Sequence, residues 1–240
     1  MILNRTFTAV LLLAAAVLAN AAFTGLGTVF NYPDVLKEPA TDILAKFRAS
    51  QVTVSAWFGL LALSSALFAP IAIGVGRLSD HRAMRLAVPV GIAAAVVQVI
   101  GLSRWPVLVP GYAADSTSPD PAVAGAAVDA FMTAHRILGN LIGETFGYLF
   151  TAAWTLLVLR ALSGVLAGRW FTLLGAVSAV LILAGVLSPL DLPILDQANF
   201  IGYIMWSLWL VAFGVLLLVR RPGAGRGSEL AGTIGSARGR

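Results

Sequence analysis

The sequence predicts an all-α integral membrane protein, a polytopic bundle of six transmembrane helices, and two observations carry this prediction. First, 59% of the 240 residues are hydrophobic and only 11% are charged, with a mean hydropathy of +0.90. Soluble domains carry about 25% charged residues, so a chain this apolar needs lipid around it. Second, the chain contains six long apolar runs. Each approaches the length of about 20 residues that a helix needs to cross about 30 Å of hydrocarbon.

The six predicted spans form one transmembrane domain over residues 1–221. They cover residues 6–27, 52–74, 84–103, 138–159, 170–187 and 200–219. The first span also has features of a signal peptide, since Arg5 precedes an apolar run and "ANA" at 19–21 resembles a cleavage site. Because the apolar character continues through "AFTGLGTVF", the length of the run favours an uncleaved helix over a cleaved signal.

The distribution of positive charge predicts that both termini face the cytoplasm. Eleven of the sixteen Lys and Arg residues fall at the two termini and in the second and fourth connections, and five fall on the opposite side. Cytoplasmic connections carry the excess of Lys and Arg in membrane proteins. We expect a multi-pass protein of the plasma membrane, which in a bacterium is the inner membrane. The Gly-rich basic tail at 222–240 is predicted to be disordered and attracted to anionic lipid headgroups.

Two connections on the outer side are long enough to have structure of their own. The first, "NYPDVLKEPATDILAKFRAS", predicts an amphipathic helix that begins near Pro39, with Ile43, Leu44 and Phe47 on one face. This helix could be a solvated connector or a lid. The second, "PGYAADSTSPDPAVAG", predicts a loop that leads into a helix near Pro121.

A layer of polar side chains is predicted at one depth in the outer half of the bundle. Glu144 lies about 24 Å from Arg160 along a helix axis, and polar residues of other spans fall at a similar level. A polar group in lipid costs free energy unless it has a partner, so these side chains should face one another. The members of this layer outside the fourth span are Asn20, Ser55, Gln98 and Tyr203.

The fourth span carries a polar stripe beside a stripe of glycines. Four polar residues recur at intervals of four, which places them on one face of an α-helix. These residues, together with the histidine at the start of the segment, are Arg136, Asn140, Glu144, Tyr148 and His135. A parallel GxxxGxxxG pattern allows close approach of another backbone. The glycines of this helix-packing pattern are Gly139, Gly143 and Gly147.

Three roles for Glu144 remain open at this stage. In the structural role, a neutral or hydrogen-bonded Glu144 fastens helices together. In the binding role, the polar layer is the floor of a pocket under the first outer connection, and the acid meets a cation, an amine or a headgroup. In the catalytic role, Glu144 and His135 form an acid–base pair, although about 13 Å of helix separates them. Ionisable residues inside a membrane are functional candidates by default.

The composition excludes several kinds of site. Cysteine is absent, which excludes disulfides, thiol redox chemistry and thiolate metal sites. His81 and His135 are predicted on opposite sides of the membrane, so they cannot share a metal ion. No metal site, cofactor or nucleic-acid partner is predicted. No nucleophile–base pair or phosphate-binding loop is apparent either.

Two resemblances add to these patterns. The segments "FNYPDVLKEPATDILAKFR", "AVVQVIGLSRWPVLVP", "HRILGNLIGETFGYLFTAAW" and "IGYIMWSLWLVAFGVLLL" resemble a family of bacterial six-helix membrane proteins catalogued only as a domain of unknown function. This resemblance implies the architecture and supplies no chemistry. Separately, "GRLSDHRAMR" at 76–85 resembles the loop between helices two and three of major-facilitator transporters, in which an acid and arginines form a charge lock. It implies Asp80, Arg82 and Arg85 as gating-loop residues, although His81 and Ala83 depart from the pattern.

These patterns favour a membrane protein that binds a small molecule, a lipid or a partner membrane protein through the polar layer around Glu144. The alternative is a transporter. At 240 residues the chain is half the size of a major-facilitator transporter, so two copies would have to pair as a homo-oligomer. An intramembrane enzyme ranks third, because the sequence offers no catalytic apparatus.

Overall fold

The computed structural model describes residues 4–162, 166, 168–190 and 192–219. All regular structure in these residues is helical, without a strand, which confirms the all-α class. Among them, six helical segments are long and apolar enough to cross a membrane. The first three spans are α1 (Arg5–Phe30), α3 (Gln51–Ala66) with α4 (Phe68–Gly76), and α5 (Arg82–Val107) with α6 (Val109–Asp115). The last three are α7 (Pro121–Ala134), a π-helix (His135–Phe146) and α8 (Gly147–Leu162); then α9 (Arg169–Ala184) with a 3-10 turn (Gly185–Leu190); then α10 (Pro193–Val219).

Each of the six predicted spans lies inside an observed one. The third span extends further than expected, because residues 110–115, predicted as loop, belong to α6. The fourth span includes the helix that was predicted to begin near Pro121. Pro110 is compatible with this helix since it occupies the first turn, where a missing N–H leaves no bond unmade. The predicted helix near Pro121 is present, and the Asp120 side chain caps it by accepting a 2.9 Å hydrogen bond from the N–H of Ala122. The predicted tail at 222–240 lies outside the described residues.

The spans pack so that the two ends of the described chain meet. α10 lies between α1 and α9, while α5 packs against α3, α4, α8 and the π-helix. Nε of Arg5, the first residue of α1, donates a 2.9 Å hydrogen bond to the carbonyl of Leu217 in the last turn of α10. We call this end of the bundle the terminal end and the opposite end the cap end.

The cap end is covered by the chain between the first two spans. This cap consists of a 3-10 turn (Asp34–Lys37) and α2 (Ala40–Ala49). The predicted amphipathic face of α2 is buried, with Ile43, Leu44 and Phe47 each no more than 2% exposed. This face packs on protein, on α3, α6 and α7, and Nη1 of Arg48 donates a 2.9 Å hydrogen bond to the carbonyl of Ala113.

Two aromatic cores stabilise the two ends separately. At the cap end, the rings that pack together are Phe30, Phe47, Phe58, Trp105 and Phe131. Toward the terminal end, the corresponding rings are Phe68, Trp154, Phe171, Trp209 and Phe213. Edge-to-face and offset aromatic pairs contribute about 0.5–1.5 kcal/mol each beyond the burial of their area. The polar side chains described next are built on helices that these two cores hold in place.

Candidate ligand-binding site

The fourth span changes its helical winding in the segment that carries Glu144. Residues His135–Phe146 form a π-helix, in which backbone N–H groups bond five residues back, and the Thr145 hydroxyl donates to the carbonyl of Asn140 at 2.9 Å. π-Helices are rare, occur mostly as single turns, and are frequent at functional sites. The π-helix of this chain, at twelve residues, is far longer than a single turn.

The predicted polar stripe does not stay on one face in the structure. Residues four apart drift one way around the axis of an α-helix, which has 3.6 residues per turn, and the opposite way around the wider π-helix. Arg136 and Asn140 are exposed, while Glu144 and Tyr148 are partly buried. The structure therefore brings two of the four stripe residues into the bundle and leaves two on its surface.

The glycine stripe of the fourth span faces α5. A Cβ added to Gly143 would lie 2.9 Å from Cα of Gly101 in α5, and one added to Gly139 would lie 2.7 Å from Nη2 of Arg104. A Cβ at Gly147 would lie 3.1 Å from Cγ of Gln98. A residue of α5 therefore packs directly against each of the three predicted packing glycines, and at Gly143 the contact is with the α5 backbone.

Arg104 is the site residue that the sequence did not identify. Its side chain lies over Gly139, and the residue is only 5% exposed. Nη1 donates to the carbonyl of Gly101, Nη2 lies 3.4 Å from Nδ1 of His135, and Cζ lies 5.3 Å from the centroid of the Trp105 ring. Nε is buried without a hydrogen-bond partner among the described residues. The Nε–H donor of this guanidinium is therefore unused.

Three tyrosines lie within electrostatic range of Glu144. Its carboxylate interacts electrostatically with Tyr32, Tyr148 and Tyr203, and the rings of the last two lie 5.8 Å apart. Burial raises the pKa of Tyr32 above its usual range, and the negative charge of Glu144 raises it further. Tyr32 follows Asn31, whose left-handed conformation (φ 54°) ends α1 and turns the chain back over the bundle.

Glu144 has unused hydrogen-bonding capacity. Within the described part of the chain, its carboxylate makes no hydrogen bond and has no cation within 4.0 Å, although Arg104 and Asp196 act on it electrostatically at longer range. We define the Glu144 cluster as this acid together with the arginine and the three tyrosines that interact with it electrostatically. Its members are Tyr32, Arg104, Glu144, Tyr148 and Tyr203.

Polar contacts continue from the Glu144 cluster toward the middle of the bundle. Nε2 of Gln98 donates a 3.0 Å hydrogen bond to the hydroxyl of Thr151. Nε1 of Trp206 donates to the hydroxyl of Thr155 at 2.8 Å. Gln98, a predicted member of the polar layer, is therefore linked to α8.

Two other members of the predicted layer lie elsewhere. Asn20 is exposed, and its Nδ2 donates to the hydroxyl of Ser207 at 2.6 Å, which ties α1 to α10. The hydroxyl of Ser55 is buried without a partner among the described residues. No hydrogen bond in the described residues connects either side chain to the Glu144 cluster. His135 is buried against Arg104 and stacks on Phe131, with ring centroids 5.9 Å apart.

The rim of the cluster is closed by an ion pair between the cap and α10. Nζ of Lys37 lies 3.3 Å from Oδ2 of Asp196, whose other oxygen accepts a 2.9 Å hydrogen bond from Ser188. Both charged side chains are largely exposed, so the pair contributes about 0–1 kcal/mol. The closure over this edge is therefore weak.

The residues of the predicted gating loop lie together at the terminal end. Asp80 precedes α5, Arg82 is its first residue and Arg85 lies one turn further, and all three line one cavity. His81, a departure from the transporter pattern, has a structural use here: its Nδ1 caps α5 by accepting from the N–H of Ala83 at 3.1 Å. No group of three or more His, Asp or Glu residues in the described ranges is arranged to hold a metal ion.

A comparison with known protein families identifies the family of this chain. The model of a family described as a domain of unknown function, DUF4386, matches residues 7–214. The chain belongs to this family. The match includes all the residues of the Glu144 cluster and the gating loop. No curated protein and no solved structure matches the chain.

Proposed function

We propose that this family member binds a small molecule with a positively charged amine at the Glu144 cluster. The observation that supports the proposal is a partly buried carboxylate, on a long π-helix, without a bonded partner among the described residues and within electrostatic range of three tyrosines. A carboxylate removed from water is costly unless a cation or donors satisfy it. A bound amine would supply that charge, and tyrosine faces attract cations within about 6 Å of the ring.

Arg104 shapes the site without neutralising it. Its guanidinium is held by the carbonyl of Gly101 and by His135, outside ion-pairing distance of Glu144. The unused Nε offers a second donor in the same region. The site therefore suits a ligand with an amine at one end and an acceptor, such as a hydroxyl or an ester oxygen, at the other.

The weak rim supplies a path to the cluster. Breaking the exposed Lys37–Asp196 pair costs about 0–1 kcal/mol, so Lys37 can separate from α10 while the buried face of α2 stays packed in the aromatic core. In this proposal the first outer connection acts as a lid.

The test is ligand-induced stabilisation of the purified full chain in mild detergent. The probes are choline and its uncharged carbon analogue, which has the same shape without the charge. We expect choline alone to raise the melting temperature, and Glu144→Gln to weaken its binding by about 30-fold or more, the usual result of removing one partner of a buried charge pair. Asp129→Asn, an exposed acid on the same span, is the matched control and should bind choline normally.

The outcome also separates binding from a purely structural role. If Glu144→Gln melts at the wild-type temperature without ligand but loses the choline response, the binding proposal is supported. If the variant fails to fold, Glu144 fastens helices and the proposal is wrong. Native mass spectrometry of the wild-type protein would identify a co-purifying amine and give the subunit count.

Transport is a second candidate, favoured by the polar contacts that continue inward through Gln98 and Thr151. Two copies would pair, and the loop with Asp80 would serve as the gate. A proton-linked flux of an amine into vesicles should then vanish in Glu144→Gln and decrease in Asp80→Asn. Binding without flux in the same preparation would leave the first proposal in place and remove this one.

We also propose that the protein lies in the plasma membrane with both termini in the cytoplasm. The hydrogen bond from Arg5 to Leu217 and the even number of spans support both ends lying on one side. The excess of Arg at that end supports a cytoplasmic assignment. The basic tail at 222–240 would then reach anionic headgroups of the inner leaflet.

A further inference from the structure

A cavity opens at the terminal end of the bundle, far along the spans from the Glu144 cluster. Its volume is about 660 Å³, and it lies between the start of α5 and the end of α8. The residues that line it are Asp80, His81, Arg82, Ala83, Arg85, Leu86, Leu157 and Arg160. Three arginines and one aspartate give the lining a net positive charge.

The three arginines of this cavity are not used by the fold. Arg82, Arg85 and Arg160 are exposed, and none of their guanidinium groups makes a hydrogen bond or an ion pair with another described residue. Arg82 and Arg85 are three residues apart on α5 and so point to the same side, and Arg160 reaches them from the last turn of α8. Guanidinium donors match phosphate oxygens in geometry as well as in charge.

The same cavity also has an apolar wall. Leu86 follows Arg82 by one helical turn and is 60% exposed, and Leu157 lies one turn before Arg160 on α8. A soluble anion would gain nothing from two leucines beside its arginines. A ligand with a phosphate joined to a hydrocarbon chain would use both.

We propose that this cavity binds the phosphate headgroup of an anionic phospholipid, with the acyl chain against Leu86 and Leu157. The arginines hold the phosphate at the level of the membrane surface, where lipid phosphates lie. Basic pockets between transmembrane helices bind lipid headgroups in this way. The inference is independent of the ligand proposed for the Glu144 cluster, since the two sites lie at opposite ends of the bundle.

The experiment measures binding to the full-length protein in detergent by native mass spectrometry. The probes are short-chain phosphatidylglycerol, short-chain phosphatidylcholine and inorganic phosphate. We expect phosphatidylglycerol to bind best, and the triple variant with Arg82→Gln, Arg85→Gln and Arg160→Gln to bind it about 100-fold more weakly, at about fivefold for each arginine. Arg169→Gln, an exposed arginine at the start of α9 that does not line the cavity, is the matched control and should bind normally.

Further variants keep the test decisive. Unchanged phosphatidylglycerol binding in the triple variant would overturn the proposal. Competition by inorganic phosphate at the same concentration as the lipid would overturn the lipid assignment, because the leucines would then add nothing. If the triple variant does not fold, the single Arg160→Gln variant should still show the fivefold loss, and Leu86→Gln should weaken lipid binding without removing an arginine. Normal lipid binding in both single variants would likewise refute the proposal.

Discussion

The crossing of α5 and the π-helix gives the sharpest prediction, which is the effect of Gly101→Ala. A Cβ at Gly101 would lie 2.5 Å from Cα of Gly143 and 2.9 Å from the carbonyl oxygen of Leu138. Ordinary van der Waals contacts begin at 3.4 Å, so the new atom is nearly an ångström too close. Both neighbours are backbone atoms, which cannot move aside by changing rotamer. The two helices must therefore separate.

The magnitude follows from two opposing effects. Overpacking of this kind costs about 1–3 kcal/mol, and a backbone contact belongs at the upper end of that range. Replacing a helical glycine by alanine returns about 1 kcal/mol. We expect a net loss of about 2 kcal/mol in the free energy of unfolding. Gly59→Ala in α3 is the matched control, because a Cβ there meets no atom within 4 Å, and it should be neutral or stabilising.

The assay is reversible unfolding in mixed micelles, followed by circular dichroism, with both variants measured beside the wild type. Glu144 directly follows Gly143, so Gly101→Ala should also displace the acid and weaken choline binding, whereas Gly59→Ala should not. If the two alanine variants prove equally stable, the close crossing does not exist and the placement of Glu144 beside α5 is wrong.

Three other predictions follow from the cap and the buried arginine. Arg104→Ala should destabilise the fold by about 2–4 kcal/mol, because it leaves a void over the π-helix. Arg104→Met fills this space better and should cost less than about 1.5 kcal/mol. Equal losses of stability for the two variants in micelle unfolding would contradict this reasoning. Replacing Lys37 by Ala, or Asp196 by Asn, should change the free energy of unfolding by at most about 1 kcal/mol. Either change should nevertheless speed the exchange of choline in stopped-flow measurements. An unchanged exchange rate would argue against a lid at this rim. Because the chain has no cysteine, single cysteines can report the topology. A cysteine that replaces Ser50 should react with an impermeant thiol reagent on whole cells, whereas a cysteine that replaces Ser228, which lies beyond the described residues, should not react. The reverse pattern of labelling would invert the proposed topology.

The sequence predicted the spans well because the signal that defines them is local. A run of apolar residues long enough to cross lipid forms a helix whatever its neighbours are, since the backbone must satisfy its own hydrogen bonds there. Even the face of α2 could be read from the spacing of Ile43, Leu44 and Phe47, because these residues lie on one side of a short regular helix. The prediction for residues 110–115 was wrong for a local reason as well. The composition of this segment is typical of a loop, although the segment belongs to α6.

The π-helix could not be predicted from the same signal. The intervals of four that connect Arg136, Asn140, Glu144 and Tyr148 assume α-helical winding, and glycines at similar intervals fit that assumption equally well. The π winding becomes apparent only in the structure, where α5 lies against the glycines. The direction of the Glu144 side chain relative to the stripe was therefore not predictable from these intervals.

Arg104 and Asn20 show the same limit in opposite ways. Arg104 directly follows the third predicted span and is one of the five Lys and Arg residues predicted on the outer side. The structure buries it against Gly139 and His135 of the π-helix. Asn20 lies on the side of α1 that meets α10. Hydropathy gives the position of a residue along a span, whereas rotation about the helix axis is decided by tertiary packing.

The cap has a consequence for how the protein is made. α2 leaves the ribosome before α6 and α7, on which its apolar face finally rests, and domains form in order from the amino end during synthesis. During that interval Ile43, Leu44 and Phe47 have only α1 and α3 to pack against, and we expect the headgroup layer of the bilayer to cover the rest of their apolar face. We therefore expect the cap to begin as a peripheral membrane helix. Its apolar face would leave the lipid and pack against α6 and α7 once the fourth span has been inserted.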